Sequence, residues 1–132
     1  MKRLMDSNIY EASGKVLISG SCLPNMEKEQ FDCFSNNYDN VFFLCLEETH
    51  INMAVSKIIG MISNGKVKQL DFVSVNKSPH CIQLHYIKRE INRVFNNVLM
   101  NNYVIEKGKV YHISDDTLSL SKNLVKLNEK EV

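Results

Sequence analysis

Apolar residues in this chain follow two rhythms that alternate along its length. Short unbroken runs bounded by turn residues are the pattern of strands buried on both faces; stretches with apolar positions every three or four residues are the pattern of helices packed on one side. The first run, residues 15–20, lies between Gly14 and Gly20. Leu23-Pro24-Asn25 then supplies a stop and a cap, and a helix from Met26 to about Asn36 buries Met26, Phe31 and Phe34. Residues 40–46 form the most hydrophobic run and read as a central strand. Thr49 caps a helix carrying Ile51, Ala54, Val55, Ile58, Ile59 and Ile62, which stops at Asn64-Gly65.

The alternation continues with a third strand over residues 67–75, where Leu70, Phe72, Val73 and Val75 supply the apolar content. Ser78 as N-cap and Pro79 at the first helical position start a long helix, expected to run to about Met100 with Ile82, Tyr86, Ile87, Ile91, Val94, Phe95 and Val98 inside. Residues 103–106 and 109–113 pair as a hairpin about Lys107-Gly108. Asp115-Asp116-Thr117 caps a short terminal helix through Leu118, Leu120, Leu124 and Leu127. Residues 1–13 and 128–132 lack a period and read as loose ends.

Three successive β-α units require right-handed crossovers. The expected fold is therefore an α/β three-layer sandwich with a mostly parallel central sheet, β-α-β-α-β-α followed by a hairpin and a short C-terminal helix. At 132 residues there is room for one such domain and no second. In sheets of this kind ligands bind beyond the carboxyl ends of the strands.

Charge changes this picture little. Sixteen Lys and Arg against fifteen Asp and Glu leave a net charge of +1, which provides no global field toward nucleic acid or anionic lipid. Lys88, Arg89 and Arg93 on the third helix read as a solvated outer face. The start Met1-Lys2-Arg3-Leu4-Met5-Asp6 lacks the apolar stretch of a signal peptide, and no run reaches the roughly 18 apolar residues of a membrane span. The expectation is a soluble cytoplasmic protein without membrane or nucleic-acid partners, its four cysteines kept reduced.

Candidate chemistry collects at the carboxyl edge, where the expected β-α loops carry Cys22, His50, His80 and Cys81, with His85 one turn into the third helix. Cys81 and His85, four residues apart, project from one helical face and suit zinc, iron or copper. Cys22, His50 and His80 complete the expected metal ligand set, with Glu47 and Glu48 nearby. Without metal, the same residues make Cys81 a nucleophile with His50 or His80 as its base, a redox or thiol chemistry. Cys33 and Cys45 read as packing thiols and His112 as structural. The alternative is a non-catalytic subunit or regulatory module, self-associating or binding a protein partner, in which these side chains are structural. A small molecule or a metal ion is the expected ligand. Gly20-Ser21-Cys22-Leu23-Pro24 is not a dinucleotide fingerprint, and the chain has no phosphate loop.

Overall fold

A computed structural model describes residues 2–130. Its element order is β1 (Lys2–Arg3), β2 (Gly14–Gly20), α1 (Leu23–Met26), α2 (Lys28–Ser35), β3 (Asn40–Leu44), α3 (Ile51–Ser63), β4 (Val67–Val75), α4 (Ile82–Val94), β5 (Leu99–Glu106), β6 (Lys109–Ile113), α5 (Asp115–Ser121) and α6 (Leu124–Lys130). The strands form one sheet in the order β1-β3-β2-β4-β5-β6. All neighbours pair in parallel except β5 and β6, which form the hairpin. This is the expected α/β three-layer sandwich. The β5–β6 turn forms because Lys107 and Gly108 both adopt positive φ, 50° and 76°, the backbone that a two-residue hairpin loop requires.

Period-two alternation sorts the strands' side chains between two apolar layers. Val16, Ile18, Leu70, Phe72 and Met100 pack against Ala54, Ile58, Met61 and Ile62 of α3 and Leu84, Ile87 and Ile91 of α4. On the other face, Leu17, Val73, Val75 and Ile105 meet Leu23 and Phe31 of the α1–α2 pair. Phe31 and Phe72 are fully buried, and burial of each such side chain stabilises the fold by roughly 1.5–3 kcal/mol. The chain leaves β2 in one direction toward β3 and returns past it to β4, so the winding reverses between β2 and β4.

Several boundaries differ from those the sequence suggests: the single terminal helix is divided at Lys122-Asn123 into α5 and α6, α6 takes in residues 128–130 of the expected loose end, and α4 starts at Ile82 rather than Pro79. Leu4 and Ile9, in the segment expected to be loose, are fully buried in the α3–α4 layer. They are held by two short 3-10 turns and by hydrogen bonds from Lys57 Nζ to the Met5 carbonyl and from Asn64 Nδ2 to the Tyr10 carbonyl. Helix α4 ends at Val94 rather than near Met100, because Asn92 Nδ2 donates to the Phe95 and Val98 carbonyls and the chain turns into β5. Met26 is exposed, since the first helix breaks at Glu27 into α1 and α2. Residues 131 and 132, within the expected loose tail, lie outside the described residues, as does Met1.

One buried carboxylate ties β4 to its surroundings. Asp71, with no exposed surface, accepts from Tyr38 Oη and Gln69 Nε2 at 2.7 Å each, and from the backbone and side-chain nitrogens of Asn101 at 3.1 Å each. Burial, with Asp71 beside it, pushes the Tyr38 hydroxyl far above its ordinary range, so it remains a donor. Asp71→Ala leaves these donors without an acceptor. A loss of about 3 kcal/mol of unfolding free energy is expected in urea titration at unchanged slope; a loss under about 1 kcal/mol contradicts this role.

Candidate functional site

A well-formed depression lies beyond the carboxyl ends of β4 and β5. It is a cavity of about 430 Å³ between those strand ends, the Asn76–Lys77–Ser78 loop, the start of α4 and the inner side of α5. Its apolar walls come from Val75, Pro79, Ile82, Val104, Ile113 and Leu118, and its polar contribution includes Ser74, His85, Thr117 and Ser121. Helix α5 is brought there by the hairpin and capped by Ser114, whose hydroxyl oxygen accepts from Thr117 N at 3.1 Å. It docks on α4 through Tyr86 Oη with Ser121 Oγ at 2.7 Å, Arg89 to Ser119 at 2.9 Å, and the buried Lys88 to Asp115 at 3.3 Å. Lys88 and Arg89 are thus engaged by α5 and do not belong to the solvated face the sequence suggests.

Strand parity explains the polar side of this wall. Ser74 and Asn102 share the sheet face that also presents Phe72 and Met100 to the α3–α4 layer, and α4 presents His85 from the buried side of its helix. His85 Nδ1 lies 2.9 Å from Asn102 Oδ1, and Nε2 lies 2.7 Å from Ser74 Oγ. A carbonyl oxygen only accepts, so Nδ1 carries the proton toward Asn102. Burial holds His85 below the ordinary histidine range, opposed by the bond to Asn102 and reinforced by Lys88. The ring is therefore neutral, and its bare Nε2 lies 2.7 Å from the Ser74 hydroxyl, whose one proton has the Val75 carbonyl at 3.1 Å as its other acceptor. Ser74, His85 and Asn102 are all at least 97% buried, and Asn102 Nδ2 has no partner, an omission that costs about 1–3 kcal/mol.

The expected Cys/His metal site is not formed. Among the described residues, no group of three His, Cys, Asp or Glu side chains can hold a metal ion. The sequence places its candidates at one edge, but the fold divides them. Cys22, Cys45, His80 and Cys81 border a separate recess of about 40 Å³ near the β2–β4 reversal, where a Cβ at Gly20 would stand 3.3 Å from Cys81 Sγ, a tight contact. His50 is exposed at the N-cap of α3, outside that recess. His85 points elsewhere, with both nitrogens engaged. Cys81 at the N-cap of α4 has its sulfur near Gly20, while Ser74 and Asn102 take both nitrogens of His85, so the four-residue spacing does not make them a chelating pair. Cys22 is exposed at the residue level, yet slight burial of its sulfur, with Cys81 and Cys45 beside it, pushes its thiol up, away from the thiolate that a ligand or redox centre needs. Cys33, expected in the core, is exposed.

Ser74 and Asn102 are the residues the sequence reading missed. The available signal was a serine and an asparagine at inward-facing positions of otherwise apolar strands. For Asn102 it was hidden by extending α4 to Met100.

The buried imidazole has a consequence for stability. With the folded pKa lowered, the unfolded chain binds a proton that the folded chain refuses once the pH falls below the unfolded value of about 6.5. This contribution therefore makes stability fall from there down to the folded pKa. In His85→Gln that loss is absent: urea midpoints measured at about pH 7.5 and 5.5 should change less in the variant than in the wild type. Equal changes contradict a suppressed protonation.

Among the described residues, no helix is long and apolar enough to cross a membrane. Neither the curated proteins nor the solved structures yield a significant match to the chain. One family profile does match, over residues 11–131, and its span takes in β2 to α6 and every residue of the cavity. By that match and by its doubly wound parallel sheet, the chain belongs to the Rossmann-like domain family.

Proposed function

We propose that this protein binds a small, largely apolar molecule carrying a single hydrogen-bonding group, in the cavity beyond β4 and β5. The observation that carries this reading is the cavity itself: about 430 Å³, within the range of small-molecule sites, with apolar walls and the Ser74–His85 pair on one side. Its position at the carboxyl ends of parallel strands accords with where ligands of doubly wound sheets bind. Family membership alone does not assign a ligand, since one fold hosts many. The connection after β2, Gly20-Ser21-Cys22-Leu23-Pro24, departs from the glycine fingerprint of dinucleotide sites, which favours a ligand without a pyrophosphate. A reducing cytoplasmic setting is part of the same proposal, and the four free cysteines accord with it.

Indole and benzamide fit this description and serve as probes. Titrated into isotope-labelled protein, they should shift the NMR signals of Val75, Ile82, Val104, Ile113 and Leu118 together, with dissociation constants of about 1 mM, the strength expected of ligands this small. Thr117→Trp, at an exposed position on the cavity wall, should weaken both at least about tenfold. Shifts confined to the Cys22–Cys81 recess, or binding unaffected by Thr117→Trp, contradict the assignment.

A further inference from the structure

Resting on the ligand reading of the cavity, we propose that Ser74 is an acyl-accepting nucleophile with His85 as its general base, and that the ligand class includes carboxylic esters. Three observations converge on this. Ser74 Oγ and His85 Nε2 are 2.7 Å apart, within the reach that direct proton transfer needs, and both residues border the cavity. Asn102 Oδ1 takes the Nδ1 proton at 2.9 Å, which fixes the tautomer whose Nε2 faces the serine; an asparagine orients the base in the same way in Cys-His-Asn hydrolases. Asn102 holds that bond although its own amide nitrogen has no partner, an arrangement that an apolar core residue would avoid.

The chemistry balances with water as co-reactant. As Ser74 Oγ bonds to the ester carbonyl carbon, its proton passes to His85 Nε2. The carbon–oxygen bond to the leaving alkoxide then breaks, and the alkoxide takes that proton and departs as alcohol. A water molecule, deprotonated by His85, attacks the acyl-serine; the acid leaves and the proton returns to Ser74. The sum is ester plus water to acid plus alcohol. Ser74 is 1% exposed and His85 3%, and both stand in the wall of the cavity, shielded from outer solvent. The charged group that acts on the imidazole is Lys88, with Asp115 on its ammonium.

An alkyl fluorophosphonate tests the proposal directly, because its capture forms an oxygen–phosphorus bond at Ser74, expels fluoride and gives the serine proton to His85. Peptide mass spectrometry should locate the adduct on Ser74. Labelling should fall about 100-fold or more in Ser74→Ala and in His85→Gln, both checked for folding by circular dichroism, and saturating indole should protect the wild type. Asn102 acts as a positioning residue: Asn102→Leu should lose labelling, whereas Asn102→Asp should retain it with the pH midpoint moved upward, as a carboxylate favours the imidazolium. No adduct on wild-type protein that still binds indole overturns the proposal and leaves the ligand reading standing. No adduct and no indole binding overturns both. An adduct that survives Ser74→Ala also overturns it.

Discussion

A neutral imidazole with both nitrogens engaged inside the core is the constraint around which this end of the molecule is arranged. His85 needs an acceptor on one side and a donor on the other, and β5 and β4 supply them through Asn102 and Ser74. That requirement fixes the rotation of α4 about its axis, because the helix must present His85 between Leu84 and Ile87, which are themselves buried. It also fixes the register of β4 against β5, where Phe72 faces Asn102 and Ser74 faces Val104. A slip of one residue would turn Asn102 to the opposite face and leave Nδ1 without its partner.

The same pair of strands carries a second polar network on its other face. Asp71 lies between Phe72 and Leu70 in sequence but points to the side of Val73, where Tyr38, Gln69 and Asn101 converge on it. Two buried polar groups on opposite faces of β4 and β5 leave little freedom in how these strands pair. Polar groups inside a core contribute to specificity only when satisfied. Asp71 has four donors, whereas Asn102 keeps an orphaned nitrogen. That difference separates a network that holds the sheet together from one whose arrangement is explained by the chemistry at the cavity.

Much of the architecture was legible because it rests on local pattern. The unbroken run at β3, the regular spacing of α3 ending at Gly65, and the Lys107-Gly108 turn each carry their own signal. The elements that were misread depend on contacts distant in sequence. Leu4 and Ile9 are ordered only because α3 and the sheet provide something to cover, and no periodicity announces that. The end of α4 was misplaced because residues 96–102 hold apolar positions compatible with either period, and Asn92 resolves the ambiguity through two carbonyls the sequence does not reveal. For the site, residue type was a poor guide at the carboxyl edge, where the expected Cys/His metal group is not formed. Cysteine and histidine draw attention in a sequence; here the recess gathers thiols without a metal-binding group, while the larger cavity is bordered by serine and by a histidine whose role is decided by its neighbours.

Long-range proton–nitrogen NMR on the imidazole reads the state of His85 most directly. A proton fixed on Nδ1 and a bare Nε2, both unchanged from neutral into mildly acidic solution, is the predicted result. A proton on Nε2, or a ring that titrates in the ordinary histidine range, would contradict a neutral imidazole held between Asn102 and Ser74.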